Sequence, residues 1–294
     1  MAANSLVSHL QIRLATCLGR PVTGLEMTPV GGGSINQACR LLVNRCEPLF
    51  CKLNSARRFP GLFEKEKNGL ELLAARDIIR VPRVILCDII EDRQVLVLEW
   101  MEPGVKTGLF WQDFGSRLAA LHQVSNPVCG LQEDNYMGAL PQRNNQMDSW
   151  PEFFIQQRLR PQVQMAFDRQ LLAQKHLQQF ETFYRQAPEL FPPRPAALLH
   201  GDLWSGNFLC AAAEQPVLID PAVYYGHPAM DLAMTTLFGG FDPSFYEAYF
   251  YHSPQPGNYR LQWDACNLYP LLVHLNLFGS GYLHDIEGIL KQFL

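Results

Sequence analysis

Leucines at positions 6, 10, 14 and 18 recur every four residues, the spacing of one helix face, and predict an opening helix capped by Asn4 or Ser5 and stopped near Gly19. From about residue 25 to 101 the periods shorten. "GLEMTPV", "QACRLLVN" and "LFCKLN" read as three strands, "PGLFEKEKNGLELLAAR" as a helix, and "RVILCDII" and "VLVLEWM" as two more strands. The pattern predicts an antiparallel sheet with one helix inserted after the third strand. Beyond "EPG" at 102–104 long helical periods take over, in "WQDFGSRLAALHQV" and in the stretch from Ser149 to Ala187. The turn-rich segment 126–145 between them reads as an extended loop. Prolines at 188, 192, 193 and 195 read as a stiff extended lead-in to "AALLH", which pairs in type with "PVLID" as a short strand, and helices follow from "DLAMTTLF" onward. The expected division is an N-terminal unit over 1–101 and a larger, mostly helical unit over 102–294.

A chain of 294 residues that is 48% hydrophobic has material for a large core, and disorder of the bulk is not expected. Charged residues make up 18% and the formal net charge is −4, which gives no electrostatic footprint for nucleic acid or an anionic membrane and turns attention to a small-molecule partner. The eight cysteines form no C-x-x-C pair, so they read as free, mostly buried thiols of a cytoplasmic protein rather than as a zinc site or a disulfide framework. The N-terminus lacks the basic and apolar regions of a signal peptide, and no apolar run approaches the roughly 20 residues that span a bilayer. Oligomeric state stays open in the sequence, with a monomer favoured.

Four features carry chemistry. "VGGGSIN" at 30–36 joins the first two strands, and its successive glycines allow backbone N–H groups close to phosphate oxygens, although an ordinary glycine-rich hairpin has the same text. Lys52 sits inside an apolar strand and needs a compensating acid if buried; the next helix offers Glu64, Glu66 and Glu71, of which Glu66 is favoured and Glu64 is the alternative. "LLHGDLWSGNFLC" at 198–210 holds Asp202, suited to accept a proton from an attacking hydroxyl, and Asn207, whose amide oxygen suits a magnesium ion; Asp220, ending "PVLID", adds a charged oxygen. His200 fits a loop-holding role better than that of a base. Asp231 opens the helix of "HPAMDLAM" and is expected both to cap it and to hold the loop from behind. In "LEWMEPG", the backbones of Glu99 and Met101 could pair with an adenine edge, as an ordinary linker would also allow. Trp204 fits a sugar face or the core equally well. The "DNYMG" loop and Arg158 are weaker acceptor candidates, and His227 and Tyr225 suit core or cleft. No G-x-S-x-G elbow supports a serine hydrolase.

In their order along the chain, these features resemble a protein kinase-like fold: α+β and bilobal, with a small antiparallel-sheet lobe carrying one main helix and a larger helical lobe. "HGD" replaces H-R-D and "IDP" replaces D-F-G, departures that resemble the aminoglycoside phosphotransferases. "VGGGSIN", "LFEKEKNGLELLAA", "DNYMGALPQ", "FFIQQRLRPQ", "LLHGDLWSGN" and "IDPAVYYGHPAMDLAM" resemble the fructosamine (ketoamine) kinase family over nearly the whole chain. The resemblance implies ATP- and Mg²⁺-dependent phosphorylation of a ketoamine acceptor at its 3-hydroxyl. By it Asp202 is the base, Asn207 and Asp220 hold Mg²⁺, Lys52 with Glu66 orients ATP, and Gly31, Gly32, Gly33, Ser34, Ile35 and Asn36 cover the phosphates. Ser34 stands where some members carry a cysteine that links two chains, so no such redox link is expected. A kinase for an aminoglycoside or amino alcohol, and a nucleotide-binding regulator without turnover, are the alternatives.

Overall fold

Strands β1 (Leu25–Pro29), β2 (Gln37–Val43) and β3 (Glu47–Ser55), helix α2 (Leu62–Ala74), and strands β4 (Val84–Ile90) and β5 (Arg93–Glu99) follow the opening helix α1 (Ala2–Leu18). The computed structural model describes residues 2–31 and 35–294. The five strands form one sheet in the order β1-β2-β3-β5-β4, and every neighbouring pair is antiparallel. The sheet and its single inserted helix match the sequence expectation. Leu10 and Leu14 of α1 are fully buried against Leu41, Val43, Val95 and Val97, with Leu6 and Leu18 at the margins of that cluster. Each such leucine contributes roughly 2 kcal/mol by leaving water. The expected cap does not form, because α1 already begins at Ala2 and Ser5 lies inside it. The Ser5 hydroxyl instead donates to Glu91 at 2.7 Å, tying the helix to the β4–β5 turn.

The chain divides into two compact units, one of residues 1–105 with 209–220 and one of 106–208 with 221–294. This differs from a single cut after residue 101. The hairpin of β10 (Phe208–Ala211) and β11 (Gln215–Leu218) joins the first unit through long-range backbone pairing. Gly104 N donates to Cys210 O at 2.7 Å, Ala212 N to Glu102 O at 3.0 Å, and Leu218 N to Arg80 O at 2.9 Å. A side chain at Gly104 would run into the Ala211 carbonyl, so only glycine permits the approach.

The second unit contains α3 (Gly108–Leu121), β6 (Ser125–Asn126), β7 (Asn135–Met137), β8 (Leu140–Gln142), α4 (Trp150–Phe153), a π-helical stretch (Phe154–Leu159), α5 (Arg160–Asp168), α6 (Gln174–Leu190) and β9 (Ala196–Leu199). After Asp220 come β12 (Tyr224–Gly226), α7 (Ala229–Leu237), α8 (Pro243–His252), α9 (Tyr259–Phe278) and α10 (Leu283–Leu290). Two expectations are corrected here. The segment 126–145 carries short strands, with β7 and β8 forming a hairpin and β6 pairing with β9. The long helix expected over 149–187 is interrupted by the π-helical stretch and by a break between α5 and α6. Six aromatic side chains, Phe110, Trp111, Phe114, Phe208, Phe241 and Phe245, pack where α3 meets α8, with neighbouring rings 5.0–6.5 Å apart. Among the described residues no helix is long and apolar enough to cross a membrane.

His227 belongs to this core, beside Trp150 and Phe191, and its Nδ1 accepts from Ala229 N at 3.1 Å. Burial, reinforced by Arg194 and His122, lowers its pKa to about 3. The unfolded chain therefore takes up a proton near pH 6.5 that the folded chain refuses. Stability from this group is fully present above about pH 6.5 and falls as the pH drops toward 3, by roughly 2 kcal/mol at pH 5. Denaturant midpoints of the parent at pH 7 and pH 5 should differ accordingly, and His227→Gln should shrink the difference.

Candidate active site

In the first unit, Lys52 projects from β3 into the protein and is 4% exposed. Its ammonium donates to Glu66 Oε1 of α2 at 2.7 Å and to Asp220 Oδ1 just past β11. Strand register explains the lysine's position: Lys52 lies opposite Ala38 on β2 and Leu96 on β5, in a row otherwise filled by apolar side chains. Burial alone would lower the lysine's pKa, but the Asp220 and Glu66 carboxylates prevail and raise it, so the ammonium stays charged. Burial pushes the Glu66 carboxyl up, to about 7, against the pull of Lys52 and with the Asp220 charge adding to the rise. Asp220 adopts a left-handed backbone conformation with φ of 55°, a sparsely populated region for a side-chain-bearing residue that Asp tolerates better than most. Glu64 and Glu71, the other helical acids, take no part in the lysine's pairing.

The remaining candidates of this unit are more modest. Asn36 Oδ1 accepts from Asn54 Nδ2 at 2.5 Å, which fixes the end of the loop between β1 and β2. Gly31 has open space where a side chain would be, and Ile35 is half-buried. Gly32, Gly33 and Ser34 lie outside the described residues. The amide of Glu99 is not available to an adenine, since it donates to Arg83 O at 2.9 Å within the sheet, and its carboxylate accepts from Arg80 at 2.6 Å. Met101 follows β5 in irregular backbone and is half-buried.

In the second unit, the segment after β9 turns sharply at Gly201, whose φ is +84° and where a side chain would strike the Ala222 carbonyl. That turn presents Asp202. Asn207 Nδ2 donates to both the backbone O and Oδ2 of Asp202, each at 2.9 Å, and Trp204 N donates to Asp202 O at 3.2 Å. With its amide nitrogen so committed, Asn207 keeps its carbonyl oxygen as the atom it can offer to a cation. The fully buried His200 accepts from Asp202 N through Nδ1 at 3.3 Å, which occupies the lone pair a base would need. Trp204 is 37% exposed, which excludes a core position; its ring lies over Gly206 and meets Phe238 edge-on at 5.8 Å.

Asp231 holds this loop. One carboxylate oxygen accepts from Gly201 N at 2.9 Å and the other from His200 N at 2.8 Å. The second oxygen also meets His122 Nε2 at 3.2 Å, and His122 Nδ1 lies 2.7 Å from the Tyr249 hydroxyl. Burial would raise the Asp231 pKa, but the His122 hydrogen bond and charge, the His200 ring and the Gly201 amide together lower it. The expected capping role does not hold: Asp231 is the third residue of α7, the N-cap position is Pro228, and the carboxylate is spent on the loop instead. His122 was not among the sequence candidates; "LAALHQV" reads as the end of an amphipathic helix, and nothing local distinguishes its histidine.

Arg158 is neither solvated nor a contact for a substrate. It is fully buried, with its guanidinium 4.0 Å from the Tyr224 ring centroid and 4.6 Å from that of Phe153, and it donates to Arg143 O and to Asn144 Oδ1 at 2.7 Å. Asn135 of the "DNYMG" segment is likewise structural, donating to Val223 O at 2.8 Å and accepting from Gln142 at 2.7 Å. Tyr225 is half-buried and exchanges backbone hydrogen bonds with Gly130.

The fructosamine kinase family model matches residues 7–294. A protein of Synechocystis sp. named probable ketoamine kinase is 40% identical over 289 residues, covering 96% of this chain and 95% of its own. The chloroplastic protein-ribulosamine 3-kinase of Arabidopsis thaliana is 34% identical, over 94% of this chain and 85% of its own length. The crystal structure of a protein provisionally named fructosamine-3-kinase from Thermobifida fusca superposes with a TM-score of 0.86 at 32% identity, covering 96% of this chain and 97% of that one. A gentamicin-bound aminoglycoside phosphotransferase, at 14% identity and a TM-score of 0.57 over 98% of this chain and 93% of its own, shares the fold. The chain belongs to the fructosamine kinase family.

Proposed function

We propose that this protein transfers the γ-phosphoryl group of ATP to the 3-hydroxyl of a ketoamine of the fructosamine type. The observation that carries the reading is the buried Lys52 ammonium held between Glu66 and Asp220, an arrangement that keeps a positive charge ready for nucleotide phosphates. The names of the Arabidopsis and Thermobifida relatives support the position of the hydroxyl. Asp202 orients the acceptor hydroxyl and takes its proton; the clamp from Asn207 and the brace from Asp231 through His200 and Gly201 hold it in one place. Trp204 offers its exposed ring to the sugar. The family resemblance assigns the loop from Gly31 to Asn36, of which 32–34 lie outside the described residues, to the phosphates and the Met101 backbone to the adenine.

Magnesium takes few protein ligands and several phosphate or water oxygens. The donor chemistry suits it: Asp220 would offer a carboxylate and Asn207 the amide oxygen its committed nitrogen leaves over, both hard. Mg²⁺ held there would supply charge neutralisation to the phosphates. Lys52 exchanges part of its hold on Asp220 for phosphate oxygens, while Glu66 keeps it aimed.

The reading is tested by ATP consumption against a panel of fructosamines, ribulosamines and aminoglycosides with Mg²⁺ present. Turnover is expected with the ketoamines. Turnover with aminoglycosides alone would overturn the acceptor, and acceptor-independent hydrolysis alone would overturn the transferase.

A further inference from the structure

The turn that presents Asp202 is held from two sides. On one side Asp231 accepts from the amides of His200 and Gly201. On the other lies the backbone of Ala222, whose N–H donates to His200 O at 2.9 Å and whose carbonyl occupies the space that a side chain on Gly201 would need. Ala222 and Val223 precede β12, and amide side chains rather than a neighbouring strand take up their carbonyls.

Those amides come from the β7–β8 hairpin, where Asn135 and Gln142 stand directly opposite each other in the register. Asn135 Nδ2 donates to Val223 O at 2.8 Å, and Gln142 Nε2 donates to Ala222 O at 3.2 Å and to Asn135 Oδ1 at 2.7 Å. Gln142 Oε1 accepts from the Tyr269 hydroxyl of α9 at 2.8 Å, and Asn135 Oδ1 also accepts from Asn144 Nδ2 at 3.2 Å. Burial pushes the Tyr269 pKa up to about 12, so this hydroxyl remains a donor. Asn135, Asn144 and Tyr269 are buried, and Gln142 is 1% exposed. Both N–H groups and the carbonyl oxygen of Gln142 are committed, which fixes its amide in one orientation; turned over, its oxygen would face two acceptors. Apolar side chains would fill this space at a lower desolvation cost, but they could not hold the Ala222 and Val223 carbonyls in a single geometry.

We propose that Asn135 and Gln142, with Tyr269 behind them, are positioning residues for phosphoryl transfer: through Ala222 they set the place of the His200–Gly201 turn and so the aim of the Asp202 carboxylate at the acceptor hydroxyl. The inference rests on the ketoamine kinase reading above. A misplacement of about 1 Å at a reacting group costs on the order of a hundredfold in rate, so loosening the brace lowers kcat more than it weakens substrate binding.

A double-mutant cycle with Asp202→Asn separates positioning from stability, with ε-fructosyl-lysine as acceptor and rates taken well below the melting transition. Gln142→Met keeps the length of the side chain and removes all three of its hydrogen bonds. It should lower kcat about thirtyfold while KM for Mg·ATP stays within about twofold. Tyr269→Phe, which removes one hydroxyl, should lower kcat about threefold, and it carries the test where Gln142→Met does not fold. In the Asp202→Asn background the carboxylate whose aim matters is gone, and the same substitutions should cost less than about twofold. Equal losses in both backgrounds, or an unchanged kcat in the parent background, would overturn the brace and leave the kinase reading intact. Failure of the parent to turn over any ketoamine would overturn both.

Discussion

Asp202→Asn is expected to lower kcat for phosphoryl transfer about a thousandfold while the protein still folds and still binds ATP. Asparagine keeps the size of the side chain, and its Oδ1 can still accept from Asn207 Nδ2, so the 2.9 Å clamp survives in part. The backbone oxygen of residue 202 also remains an acceptor for the same amide. What is lost is the ability to take a proton from the acceptor hydroxyl, and positioning and charge neutralisation alone account for the residual rate. Steady-state turnover beside a melting curve separates this outcome from unfolding. A variant that melted with the parent and turned over at the parent's rate would remove Asp202 from its role.

Asp231→Ala should be the most damaging single change to the fold of the second unit. The carboxylate is fully buried and serves two backbone amides and one imidazole, and its removal leaves all three without their acceptor. Breaking a buried charged network of this kind costs about 3–5 kcal/mol, on the order of 10 °C in melting temperature for a chain of this size. Activity should fall further than stability predicts, because the His200–Gly201 turn that presents Asp202 loses its anchor. Asp231→Asn, which keeps one accepting oxygen but turns an amide donor toward other donors, should fall between the two. Calorimetric melting, with turnover measured well below the transition, checks both parts. A melting temperature unchanged from the parent would contradict the bracing role.

The same contrast between local and distant partners explains how much was legible in the sequence. The β-sheet of the first unit follows alternating apolar positions within each strand, and the α1 stripe of Leu6, Leu10, Leu14 and Leu18 faces the sheet because a four-residue spacing leaves one apolar face. Lys52 stood out because an ammonium inside an apolar strand demands a partner, and Glu66 is supplied by the next element of the chain. The pairing of the β10–β11 hairpin is not legible in the sequence, because its partners at 80 and 102–104 lie over a hundred residues away. Arg158 reads from the sequence as an acceptor candidate, whereas its cage comes from Tyr224 and Asn144, which no helical period reveals. His122 shares that cause, since it meets Asp231 across more than a hundred residues of chain. The interruption of the helix after Phe153 has no proline or glycine to announce it until Pro161.

The proposed reaction delivers the phosphoryl group to a ketoamine hydroxyl. Its most direct test is the product formed from ε-fructosyl-lysine and Mg·ATP, isolated and examined by phosphorus–proton correlation NMR. One phosphate ester is expected, coupled to the proton on C3 of the sugar. A phosphate on another sugar carbon would contradict the assigned hydroxyl, and inorganic phosphate with unmodified acceptor would contradict the transfer itself.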